Sequence, residues 1–218
     1  AKAGFSTFSR FVDLTAPGSG IVSTITNNGF SQGSGTSFSS PMVAGAAALL
    51  MSIHPDWTNL QIMEHLRVTT DNVDAVQGNQ EFENLLGSGR LNIFKALTTN
   101  NSKSVRIENF SFNNGIGEFA YFGDTVSLFL NLHNFLSPVK NLSLEITTEH
   151  EGVTIVDPLI MLGDLDSLVD TNLEFQIVLG DSVGNEQGIL FGISYQGDDY
   201  LAFKIIELVT RTERLDFG

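Results

Sequence analysis

Two rhythms of apolar residues divide the chain. Up to Thr99, strand-like and helix-like stretches alternate. Phe11–Leu14 and Gly20–Ile25 read as short strands, with Ala16-Pro17-Gly18 as the turn between them. Met42–Ile53 is apolar on every side, which predicts a buried helix. Pro55 ends it, because a residue before proline resists helical geometry. Thr58, with Gln61 three residues later, spells a capping box, and Trp57 just ahead can staple onto Ile62. Ile62, Met63 and Leu66 are the expected apolar face of this second helix. Gly87-Ser88-Gly89-Arg90-Leu91-Asn92 is a glycine-rich loop leading into a last short helix, Ile93–Leu97.

Residues 98–104, TTNNSKS, are polar and read as a linker. Beyond them the period drops to two. Val126, Leu128, Leu130 and Leu132 alternate with other residues, as do Leu142, Leu144 and Ile146. The same holds for Leu173, Phe175, Ile177 and Leu179, for Ile189, Phe191, Ile193 and Tyr195, and for Leu201, Phe203 and Ile205. Gly197-Asp198-Asp199 marks a hairpin turn between the last two. About seven such strands predict an immunoglobulin-like sandwich. The domains expected are therefore 1–99 and 100–218.

Charge follows the same division. The 218 residues carry a net charge of -14. Seven acids and five bases lie up to Thr99, and eighteen acids and six bases follow. So acidic a chain is a poor partner for nucleic acid or an anionic membrane. There is no cysteine, which excludes disulfides, zinc-thiolate sites and thiol catalysis. No run reaches the roughly 20 apolar residues of a membrane span, so none is expected. No signal-peptide pattern opens the chain.

Chemistry concentrates where hydroxyls crowd the front of the apolar helix. Pro41 is tolerated only near a helix start, which places Ser37, Ser39 and Ser40 in the first turn. Residues there commonly act as caps. A helix N-terminus also offers unpaired amides and a favourable dipole to a developing negative charge, which is what an activated serine needs. Gly45 and its neighbouring alanines would let other elements pack close.

Gly35-Thr36-Ser37-Phe38-Ser39-Ser40-Pro41-Met42-Val43-Ala44-Gly45 resembles the nucleophile motif of subtilisin-like serine proteases, G-T-S-x-[AS]-x-P-x-V-A-G. Val12-Asp13-Leu14-Thr15-Ala16-Pro17-Gly18, His54-Pro55-Asp56-Trp57-Thr58 and Gly87–Asn92 resemble flanking segments of that family, in order, over about residues 4 to 97. The resemblance implies that residues 1–99 are the C-terminal portion of an α/β catalytic domain, with a mostly parallel sheet and a buried central helix. Ser37 would be the catalytic nucleophile and its own N–H an oxyanion donor. Thr36 would support the oxyanion hole, Phe38 would flank the leaving-group side of the cleft, and Asp13 would anchor a loop.

The family's aspartate, histidine and oxyanion-hole asparagine lie upstream of the serine, and only 36 residues precede Ser37 here. His54 follows it by 17 residues, about 25 Å along a continuous helix, out of hydrogen-bond reach. His65 is expected at or near the surface, and His133 and His150 belong to the sandwich. The expected function is a serine endopeptidase acting on polypeptides, present here as a C-terminal piece that is inactive alone. A non-catalytic binding or adhesion protein and a pseudoprotease are the alternatives. Open apolar surface and sheet edges predict self-association or retention of the missing N-terminal part. The resemblance implies a secreted or cell-surface bacterial protein.

No cofactor is expected. Calcium at Asp164, Asp166 and Asp170, or at Asp198 and Asp199, is a possibility set against solvated loop charge. Tyr121, Phe122 and Phe129 could line an aromatic strip, with core or inter-domain packing the stronger expectation.

Overall fold

The structure, a computed structural model, describes residues 1–113, 123–183 and 188–209. Two compact units divide between Ser104 and Val105. Tyr121 and Phe122 lie outside the described residues.

In the first unit, β1 (Ile21–Ile25) and β2 (Gly29–Gly33) form an antiparallel hairpin. Its loop holds Asn27 and Asn28 at φ 63° and 58°, a left-handed geometry that asparagine tolerates better than most residues. The expected parallel sheet is replaced by this hairpin and by one parallel bridge, Thr15 to Arg90. Phe11–Leu14 is not a strand. The Val12 N–H closes a turn on the Ser9 carbonyl at 3.1 Å, and Phe11 is 89% exposed. A strand needs a ladder of backbone partners, and the ladder pairing nearest this segment is the single bridge at Thr15, just beyond it.

α1 (Thr36–Ile53) forms as its apolar run predicts and stops at His54, just before Pro55. It is not buried on all sides. Within it only Ala46 and Leu50 are enclosed, a pair four residues apart on one stripe. They join Ile62, Leu66, Leu91 and Ala96 in a small core, with Met42, Val43 and Trp57 packed around it. Leu49, Met51 and Ile53 are exposed, and open space lies where a Gly45 Cβ would be. The unit's other helices cover a single stripe, so the rest of the apolar surface faces outward. By length and composition alone α1 is long and apolar enough to cross a bilayer. Its Leu50 stripe is nonetheless part of a folded core.

α2 (Asn59–Val68) begins with the expected capping box. The Gln61 N–H donates to Thr58 Oγ1 at 3.2 Å, and the Thr58 N–H donates to Gln61 Oε1 at 3.0 Å. Its buried face is rotated from the expected one: Ile62, Glu64, His65 and Leu66 are enclosed and Met63 is exposed. His65, expected near the surface, is fully buried. Its Nε2 lies 2.7 Å from the Ala96 carbonyl of α3 (Ile93–Thr98), and its Nδ1 lies 2.6 Å from Ser102 Oγ. A carbonyl can only accept, so Nε2 carries the proton and Nδ1 accepts from the serine. Glu64 Oε2 accepts from Arg67 Nε at 2.9 Å and from the Ser104 hydroxyl at 2.6 Å. Two serines of the polar stretch that reads as a linker are thus buried and fastened to α2. Polar groups bury without large cost when each has a partner.

The second unit is a sandwich of two four-stranded sheets. Its strands are β3 (Val105–Asn113), β4 (Thr125–Asn134), β5 (Val139–Thr147), β6 (Val153–Ile155), β7 (Leu159–Leu165), β8 (Asp170–Leu179), β9 (Gly188–Gly197) and β10 (Tyr200–Val209). One sheet runs β10-β9-β5-β7 and the other β3-β4-β8-β6. Every pairing among the described residues is antiparallel. Alternate residues of β4, β5, β8 and β9 fill one continuous core. Phe129 is on the outer face of β4, not in that core.

β10 turns its expected core residues outward. The two-residue loop Asp198-Asp199 pairs Gly197 with Tyr200. That register sets Phe191 opposite Ile206 and Ile189 opposite Leu208, and cross-strand partners share a face. Ile206 and Leu208 are therefore inside, while Leu201 is 79% and Phe203 60% exposed.

This register predicts that Ile206→Ala lowers the stability of the sandwich by about 2–4 kcal/mol, whereas Leu201→Thr changes it by less than about 0.5 kcal/mol. Urea unfolding followed by far-UV circular dichroism measures both, and the reverse order would contradict the register.

Burial holds His65 below its ordinary value of 6.5, with the charge of His54 adding to the shift and the bond to Ala96 opposing it. As pH falls through about 6.5 the unfolded imidazole takes up a proton before the native one does, so unfolding gains. The stability His65 contributes is present above that value and lost below it. The single tryptophan, Trp57, sits 5.1 Å from the His65 ring. Its fluorescence should report a falling melting temperature between pH 7.5 and 5.5, and a flat or rising one would contradict this.

Candidate active site

Ser37 is the second residue of α1, with its side chain exposed. The helix is capped by Gly35 without any side-chain capping bond, so the Ser37 hydroxyl is not spent on starting the helix. The amides of Thr36 and Ser37 belong to the first turn, where no residue four positions back supplies a helical partner. The next amide, that of Phe38, donates to the Gly35 carbonyl at 3.1 Å.

Two bonds to the Ala16–Gly18 segment fix this turn. The Gly35 N–H donates to the Gly18 carbonyl at 2.8 Å, and Ser39 Oγ donates to the Ala16 carbonyl at 3.1 Å. Gly18 has no room for a side chain, because one would strike Ser39 Oγ. Phe38 is partly buried, with its ring over Gly33 at the end of β2 in the space a Cβ would fill. Thr36 is exposed and lies on the wall of a cavity of about 350 Å³, with Thr15, Pro17, Gly18, Ser39 and Arg90; Ser37 is not on that wall.

The flanking segments close around one another. The Asp13 carbonyl accepts from the Ser88 N–H and from Ser88 Oγ, each at 3.0 Å. Gly87, at φ 71°, presses so closely on Asp13 that a side chain would collide with its backbone. The Thr15 N–H donates to the Gly89 carbonyl at 2.8 Å, and the Leu91 N–H to the Thr15 carbonyl at 2.7 Å. Asp71 accepts from Asn92 Nδ2 at 2.9 Å and from an Arg90 guanidinium nitrogen at 3.1 Å. The Asn92 bond, then that from Arg90, holds the Asp71 carboxyl below its usual value.

No histidine of this unit is placed to take the Ser37 proton. His54 caps the far end of α1 and stacks on Trp57 with centroids 3.9 Å apart. Both ring nitrogens of His65 are already bonded. The sequence reading missed the Ser39–Ala16 clasp, the seat of Phe38 on Gly33 and the Asp71 network. Gly18 and Gly33 were the available signal, since each stands where only a glycine fits.

Residues 2–89 match the Subtilase family profile. Alkaline elastase YaB of Bacillus sp. (strain YaB) is 43% identical over 72 residues, which is 33% of this chain and 19% of that protein. Subtilisin BL and subtilisin Savinase of Lederbergia lenta are each 37% identical over 91 residues, 42% of this chain and 31% of each of those. The chain thus spans less than a third of the length of these relatives. Among solved structures, PapD-like domain 7 of human CEP192 is 10% identical, covers 52% of this chain and 87% of its own, and has a TM-score of 0.34. The periplasmic chaperone SfaE is 12% identical, with 54% and 60% covered and a TM-score of 0.29. Neither is similar enough to carry an argument. The long, ordered sequence match across Ser37 and its flanking loops does: residues 2–89 are similar to the C-terminal portion of the subtilases, a family of serine peptidases.

Proposed function

We propose that this chain carries the nucleophile segment of a secreted bacterial serine endopeptidase, with Ser37 as the attacking residue. The observation that carries the reading is an exposed hydroxyl in the first turn of an 18-residue helix, unused as a cap, inside a family-matching segment. The Ser37 N–H is then one donor to the tetrahedral oxyanion, with Thr36 beside it and Phe38 bracing the turn against the hairpin. The base comes from the portion of a subtilase catalytic domain that the relatives possess and this match does not span. The same portion covers the outward face of α1, where Leu49, Met51 and Ile53 are exposed. In this reading residues 1–99 are catalytic, and 100–218 are an immunoglobulin-like appendage.

Without a base, a serine hydroxyl is a weak nucleophile. The purified 218-residue chain should therefore leave a fluorogenic peptide library uncleaved. The same chain joined behind a subtilase N-terminal catalytic portion should show proteolysis sensitive to phenylmethylsulfonyl fluoride, and Ser37→Ala should lower kcat at least about 10³-fold. Inhibitor-sensitive cleavage by the chain alone, or full activity in Ser37→Ala, would contradict the proposal. An inert joined protein would favour a pseudoprotease.

A further inference from the structure

The sandwich brings three metal-ligating side chains together on the outer face of the β3-β4-β8 sheet, and we propose that they form a zinc site: Glu108, His133 and Asp170. The three belong to three adjacent strands. His133 pairs directly with Asp170 across β4 and β8. Glu108 joins them through a β-bulge. Ile107 pairs with Leu132 and Asn109 with Asn131, so Glu108 is the extra residue of β3. Bulges redirect a side chain in this way.

The donor atoms of the three residues lie within 4.8 Å of one another. For three atoms so spaced there is a point no more than about 2.8 Å from each, and zinc binds imidazole nitrogen and carboxylate oxygen at about 2.0–2.2 Å. A movement of under about 1 Å per side chain closes the site, and Glu108 and Asp170 are exposed enough to make it.

The imidazole is the more fixed ligand. It is half-buried, its ring centroid lies 4.3 Å from that of Phe135, and Nδ1 is 2.9 Å from Asp170 Oδ1. A metal held at Nδ1 replaces that hydrogen bond, and the ring keeps its proton on Nε2. One imidazole with two carboxylates favours zinc-like transition ions over calcium or magnesium, which take oxygen ligands. Water completes the coordination. Arg106 stands opposite His133 in the β3–β4 register, and its positive charge opposes the binding of a cation there. The consequence is structural: β3 is the sheet edge, and the ion ties it to β4 and β8.

Asp164 and Asp198, two of the carboxylates weighed for calcium, are engaged elsewhere. Asp164 accepts from Lys140 Nζ at 2.7 Å and from the Asn141 N–H at 3.1 Å, and Lys140 chiefly holds it below its usual value. Asp198 accepts from Asn141 Nδ2 at 3.0 Å.

Isothermal titration of the untagged full chain with zinc chloride at pH 7.5 should show one equivalent bound. His133→Gln and Asp170→Asn should each weaken binding at least about tenfold with unchanged circular dichroism. Saturating zinc should raise the melting temperature of the sandwich in the native sequence and not in the two variants. No heat of binding at millimolar zinc would overturn the site. So would binding that survives in both variants, because the metal would then sit at other histidines.

Discussion

The seating of Ala46 and Leu50 against Ile62, Leu66, Leu91 and Ala96 is the contact on which the first unit depends. It fixes the C-terminal half of α1, and the rigid helix carries that constraint forward to Ser37. The opposite end is held by the Gly35–Gly18 and Ser39–Ala16 hydrogen bonds. Between them, these contacts hold the first turn of α1 with Ser37 exposed. Under the proposed function that turn receives the oxyanion, and its placement comes from packing and backbone bonds.

The two units differ in how completely they bury their own apolar surface. The sandwich closes its core between two sheets, with Phe175, Phe191, Ile177 and Leu144 fully enclosed. The first unit leaves Phe11, Val22, Phe30 and much of α1 in contact with solvent. The match spans only part of the related proteases, and under the proposed function the rest of such a domain covers this surface.

Local signals in the sequence were legible where the structure is local. The capping box at Thr58, the stop at Pro55, the Asn92 start of α3 and the Asp198-Asp199 turn all follow from neighbouring residues. The motif around Ser37 located the helix start for the same reason. Features that depend on distant partners were not legible. The β1–β2 hairpin rests on Asn27 and Asn28, whose left-handed geometry an Asn-Asn-Gly sequence could have suggested. His65 reads as polar surface, and its burial is set by Ser102 and Ala96 far along the chain. Leu201, Phe203 and Ile205 have the right period but face outward, because the hairpin register decides the face. Glu108 reaches the side of His133 through a bulge that no pattern in β3 announces.

The central claim is that the Leu50 contact holds the helix bearing Ser37, and hydrogen exchange in the intact chain tests it most directly. In the native sequence the amides from Leu49 to Ile53 should exchange slowly and those of Thr36 and Ser37 quickly. Leu50→Ala should speed exchange at least about tenfold along the whole of α1, given the cost of a cavity at a fully buried leucine. Protection of α1 that persists unchanged in Leu50→Ala would contradict the account.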